Sequence, residues 1–220
     1  MSDLHRHFVV GLQPSQYGIF NQEVKAQRTT IARIAALGLL FMGLALTQSG
    51  CGDDQPPAQP APDFEAELAG APPRLAAIHS QANQVIDAGQ DGYHDAIAQV
   101  RGFPAVVNVW ASWCGPCRAE FPHFQQTATD LGKRVAFLGL NSGDNDDAAA
   151  TFLRDNPVPY PSYTDPDEKI ATEVGATFGL PATAFYSRAG ELVHLKHGPY
   201  TSEGDLRADI KRYALSDGGG

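Results

Sequence analysis

Val106 to Phe121, VVNVWASWCGPCRAEF, is the stretch from which the rest of the chain is read. An apolar, β-branched run (Val106, Val107, Val109, Trp110) stops at Ala111 and Ser112, and Trp113-Cys114-Gly115-Pro116-Cys117 leads into a charged, helix-prone segment. This predicts a buried strand feeding a helix. Pro116 fits the first helical turn, where a missing N–H costs nothing. Cys114 then falls at or just before the helix N-terminus and Cys117 one turn inside. Two sulfurs so placed can close a small disulfide ring. The unpaired N–H groups and positive dipole end favour the thiolate of Cys114, which makes it the attacking sulfur and Cys117 the resolving one.

Other uses of the pair fit less well. A structural zinc site needs four ligands, and the only other cysteine is Cys51, so His123 would have to recruit distant partners. No metal is expected. A peroxide-reducing cysteine would want a proline and a hydroxyl residue seven and three positions ahead of it, where this chain has Val107 and Ala111. Two inert core cysteines would leave Gly115-Pro116 and Trp113 without a reason.

The string NVWASWCGPCRAEFP resembles the thioredoxin superfamily, and within it the TlpA/ResA-like, membrane-tethered thioredoxins of bacterial cell envelopes. The resemblance implies an α/β thioredoxin fold: a central mixed β-sheet flanked by helices. It implies thiol-disulfide exchange at Cys114 and Cys117 with no cofactor beyond their redox-active disulfide. Asn108 stands where cytosolic relatives carry a buried aspartate. Glu120 matches an acid that assists proton transfer in such relatives, and a solvated helix residue is the alternative. In Gly179-Leu180-Pro181-Ala182-Thr183, a strand-opening proline suggests a cis peptide, and by resemblance Leu180 and Pro181 face the cysteines and pair with bound substrate. Trp113 either shields the disulfide or caps the core. Gly-Pro between the cysteines points to a reductase of exported proteins, with apocytochrome c among the clients that relatives reduce. An oxidase or isomerase, or a non-catalytic binding or chaperone module, is the alternative.

With 220 residues, 43% hydrophobic, the chain suffices for one domain plus an appendage. Sixteen Lys+Arg against 25 Asp+Glu give a net charge of −9, which disfavours nucleic acid. Lys25, Arg28 and Arg33 precede the apolar run Ile34 to Leu46, and small residues follow, the pattern of a secretory signal over residues 1–50. The run is short for a membrane span. Residues 1–24 are an unusually long polar preface, and a later translation start at Val24 would remove them. Gly50-Cys51 resembles a lipoprotein cleavage site, although Gln48 stands where an aliphatic residue is usual. Lipidation of Cys51 is favoured over nearby cleavage or an uncleaved anchor, and it leaves one clean cysteine pair. The expected organisation is a lipid-anchored flexible linker over 51–75, a thioredoxin-like domain over 76–216 and a loose tail over 217–220. An extracytoplasmic, membrane-anchored monomer follows, with disulfide-bearing client proteins and a membrane thiol electron donor as partners.

The expected elements are partial order over Phe64 to Leu75, then helices over Ala76 to Ala88 and Tyr93 to Val100. A strand over Phe103 to Trp110 leads to a helix over Cys114 to Leu131, kinked at Pro122. A strand over Val135 to Asn141 is followed by a helix over Asp144 to Asp155, capped by Ser142 or Asp144 and ended by the Pro157 to Pro161 turn. A helix over Asp167 to Val174 precedes antiparallel strands over Thr183 to Ser187 and Leu192 to His197. A helix over Ser202 to Leu215 closes the chain. His194 and His197, three apart in a strand, are expected to face opposite sides, exposed and without a metal.

Overall fold

The structure is a computed structural model and describes residues 62–216. The sequence expectations for residues 1–61 and 217–220, including the signal segment, Cys51 and the tail, lie outside the described residues.

The apolar run becomes β2 (Ala105–Trp110), every residue of which is buried. A strand apolar on both faces demands cover on both, so it takes the middle of the sheet. β2 pairs in parallel with β3 (Ala136–Ser142) and antiparallel with β5 (Ala182–Tyr186). Outside β3 lie β4 (Ser162–Asp165) and β1 (Val85–Ile86), both parallel; outside β5 lies β6 (Leu192–His197), antiparallel. The six-stranded order is β1-β4-β3-β2-β5-β6, a mixed sheet.

Helices α1 (Phe64–Glu67), α2 (Pro73–His79) and α3 (Gly89–Gln99) precede β2. Helix α4 (Gly115–Leu131) follows it and runs on through Pro122. Helices α5 (Asp146–Asp155), α6 (Lys169–Val174) and α7 (Glu203–Asp209) complete the set, and α7 continues as a π-helical turn over Ile210–Ala214. Trp110 meets Phe121 of α4 edge-on, ring centres 4.9 Å apart, and Phe121 meets Phe152 of α5 at 4.7 Å. That aromatic knot seats the start of α4 against the end of β2. Arg207 of α7 pairs with Asp130 of α4 and, within its own helix, with Glu203.

Several expectations change. The helix expected to reach Ala88 stops at His79, because Asn83 adopts a left-handed φ of 62° and turns the chain into β1. Strand β4 follows the Pro157 to Pro161 turn, in a stretch where no element was expected. Asn145, whose side chain accepts the Ala148 N–H, caps α5 in place of Ser142 or Asp144. The closing helix is α-helical only to Asp209. The antiparallel pairing of β5 with β6 stands, as does capping of α7 by Ser202.

Candidate active site

Cys114 is the N-cap of α4, and its Sγ accepts the Cys117 N–H at 3.2 Å. Cys114 and Cys117 are joined by a disulfide with Cα atoms 5.3 Å apart. Cys117 is fully buried and Cys114 is 4% exposed, whereas Gly115 and Pro116 between them are exposed. The N-terminal N–H groups of α4 thus face the outer sulfur, where they would stabilise a thiolate released on reduction.

The loop into the cysteines is clamped. The Asp144 carboxylate accepts the Ser112 N–H at 2.5 Å, the Ser112 hydroxyl at 2.9 Å, the Asn141 amide at 2.8 Å and the Asn145 N–H at 2.8 Å. Partial burial works against its charge, but those four donors outweigh the burial and hold its carboxyl below the ordinary aspartate value. Trp113 donates its indole N–H to the Gly143 carbonyl at 2.9 Å and is 65% exposed, which removes the core-capping alternative. Sequence reasoning had placed Asp144 only as a helix cap; its role as a clamp needed the β3–α5 loop brought beside Ser112.

Glu120 is fully buried, which overturns the solvated alternative. One oxygen accepts the Tyr200 N–H at 2.9 Å; the other has no hydrogen-bond partner. Burial pushes its carboxyl up to about 8, against the Tyr200 N–H and the charge of Lys196, which pull it down. Lys196 itself donates to the Gly198 and Pro199 carbonyls at 2.8 and 3.1 Å and lies over the Tyr200 ring. Neither Lys196 nor Tyr200 carries a sequence signal of its own, since each meets Glu120 through the fold.

Asn108 is fully buried in β2, opposite Thr183 of β5. The Leu180–Pro181 peptide is cis. Pro181 is buried, Leu180 is half-buried, and Pro181 lies one step beyond the Val109–Ala182 pair, alongside the end of β2 that leads to Cys114. Phe178, just upstream, is 86% exposed and meets His197 edge-on at 5.1 Å. His194 is half-buried, not exposed, because it stacks on Tyr213 at 3.8 Å. No group of three or more His, Cys, Asp or Glu able to hold a metal lies among the described residues.

A cysteine pair carried where the central strand hands over to a helix, in a sheet of this order, makes this a thioredoxin-fold protein. The chain belongs to the AhpC/TSA family, which matches residues 57–195, in keeping with the TlpA/ResA-like resemblance of its cysteine motif. It is 36% identical over 99 residues to a thiol:disulfide interchange protein DsbE homolog of Paracoccus denitrificans, covering 44% of this chain and 52% of that protein. It is 32% identical over 148 residues to a thiol:disulfide interchange protein DsbE of Tatumella citrea, covering 67% and 71%. A solved DsbF homologue from Corynebacterium diphtheriae is 28% identical, with a TM-score of 0.49 over 53% of this chain and 75% of that one. The chain spans about half the length of most of the curated relatives it matches.

Proposed function

We propose that the chain is a thiol-disulfide oxidoreductase that works as a reductase of proteins outside the cytoplasm. The observation that carries this reading is the Cys114–Cys117 pair at the N-terminus of α4, with a buried acid one turn further along. In the reduced protein, the Cys114 thiolate attacks one sulfur of a client disulfide, and the other client sulfur leaves as a thiolate that takes up a proton. Cys117 then gives its proton to the Glu120 carboxylate and attacks Cys114 Sγ. The second client sulfur is released, and the two electrons of the dithiol have passed to the client. An acid at about 8 is close to an ordinary thiol near 8.5, so the transfer between Cys117 and Glu120 is nearly balanced.

The other named residues have supporting parts. Gly115 and Pro116 leave the sulfurs approachable, Trp113 and Phe178 offer apolar surface, and Leu180 and Pro181 offer backbone to an extended client segment. The signal-like segment and Cys51 support a position in the envelope, held by a lipid. Disulfides persist in that compartment, so a membrane thiol donor must reset the pair. Haem-binding cysteines of apocytochrome c are a fitting client class.

The test is insulin reduction by the purified protein, with Cys114→Ala beside it, and capture of envelope clients by Cys117→Ala. Activity lost in Cys114→Ala, mixed disulfides held by Cys117→Ala and a potential near about −270 mV are expected; one near about −120 mV would make the protein an oxidase instead. An intact fold with no exchange at all would leave a binding module.

A further inference from the structure

On the face of the sheet covered by α4 lies a group of buried polar atoms that the protein does not satisfy. Asn108, Thr183 and Lys196 are cross-strand neighbours on β2, β5 and β6 and share that face. Both amide atoms of Asn108, Thr183 Oγ1, the Tyr160 hydroxyl and the second oxygen of Glu120 are buried without a hydrogen-bond partner. Tyr160 stacks on Phe137 of β3, ring centres 6.1 Å apart, and its hydroxyl lies against the Asn108 side chain without reaching hydrogen-bond geometry. The same hydroxyl is within electrostatic reach of Glu120.

Packing alone explains the ring of Tyr160 but not its hydroxyl, for which phenylalanine would serve as well. Buried polar groups are normally paired with protein or with ordered water, and a buried water wants two to four polar partners. Four orphaned atoms of Asn108, Thr183 and Tyr160, together with the free oxygen of Glu120, meet that need. We propose that Tyr160, Asn108 and Thr183 hold bound water against the free oxygen of Glu120, and that Tyr160 is the positioning residue that decides how readily this carboxyl gives up its proton. The inference rests on Glu120 being the proton acceptor of the exchange described above.

In the oxidised protein the charged and titratable groups that face Glu120 are Tyr160 ahead of β4, Lys196 on β6, and Tyr200 with Asp209 behind it, while Cys117 on its own helix is held in the disulfide and does not titrate. Asn108 and Thr183, the contributions of β2 and β5, do not titrate. Water anchored by the Tyr160 hydroxyl donates to the ionised carboxyl, so removing the hydroxyl withdraws support from the charged form.

The experiment is a carbon-13 NMR titration of the Glu120 carboxyl in the oxidised protein. Tyr160→Phe is expected to raise the midpoint by about one pH unit. Tyr163→Phe, which points from β4 to the opposite face of the sheet beside Tyr93, is expected to leave it in place. A midpoint unmoved or lowered in Tyr160→Phe overturns the proposal. Should that variant not fold, Thr183→Val carries the same expectation and the same power to overturn it. The titration needs no client, so inertness in the insulin assay would defeat the reductase reading and leave this measurement to be judged by itself.

Discussion

Lys196 reaches Glu120 from the edge strand β6 and is the cation that eases its ionisation. Replacing it by methionine keeps the stem that packs on Tyr200 but removes the charge, so the carboxyl loses support for its ionised form. The Glu120 midpoint in Lys196→Met is expected to rise by about 0.5 to 1 pH unit, and Lys196→Arg, which keeps the charge, is expected to stay near the native value. Carbon-13 NMR of the carboxyl measures both, and a fall in the methionine variant would contradict the assignment. Glu120 itself could be picked out from its place three residues past Cys117. The groups that tune it could not: the Tyr200 amide arrives 80 residues later, and a tyrosine in a loop or a lysine in an edge strand reads as core or surface until the partner it meets is known. The cysteines were legible for the opposite reason, because helix-terminus chemistry is local and shows in a few consecutive residues.

At the level of elements, the turn before β1 rests on one asparagine. Asn83 takes a φ of 62°, donates its backbone N–H to the Tyr160 carbonyl at 3.1 Å, and accepts the Val158 N–H on its side chain at 3.1 Å. Asn83→Ala loses the side-chain acceptor and strains a left-handed residue, and is expected to cost about 2 kcal/mol in chemical denaturation. Asn83→Gly loses the acceptor but relieves the backbone and is expected to cost less. Equal losses in the two would show that conformation contributes nothing here. The same turn explains a misread element. Val85 and Ile86 sit at helical spacing from Ile78, and a two-residue edge strand is too short to show an alternation of its own. β4 was hidden in the same way: its four residues are Ser-Tyr-Thr-Asp, directly after a proline cluster. By contrast, β2, β3 and the β5–β6 pair were readable because burial on both faces, or a turn between two apolar runs, leaves an unambiguous trace.

For the molecule as a whole, the buried acid sets a direction for stability against pH. The Glu120 carboxyl is raised from an ordinary value of 4.5 to about 8 in the folded protein. Between those values the folded state holds a proton that the unfolded state has released, so stability falls as pH climbs through that window and levels off above the folded value. Asp144 acts in the other direction: its lowered carboxyl contributes stability above its unfolded value of 3.8, lost as pH falls through the folded one. The native protein is therefore expected to be most stable in mildly acidic solution and to lose on the order of a few kcal/mol on passing to alkaline pH. Glu120→Gln keeps an acceptor for the Tyr200 N–H and removes the titration, so its stability is expected to stay nearly flat across the neutral range and to exceed the native value above it. Denaturant midpoints of the oxidised protein and the variant, taken at a series of pH values, test this directly. Parallel profiles for the two would mean that the carboxyl titrates as an ordinary exposed acid, and the proton-transfer step assigned to it would lose its basis.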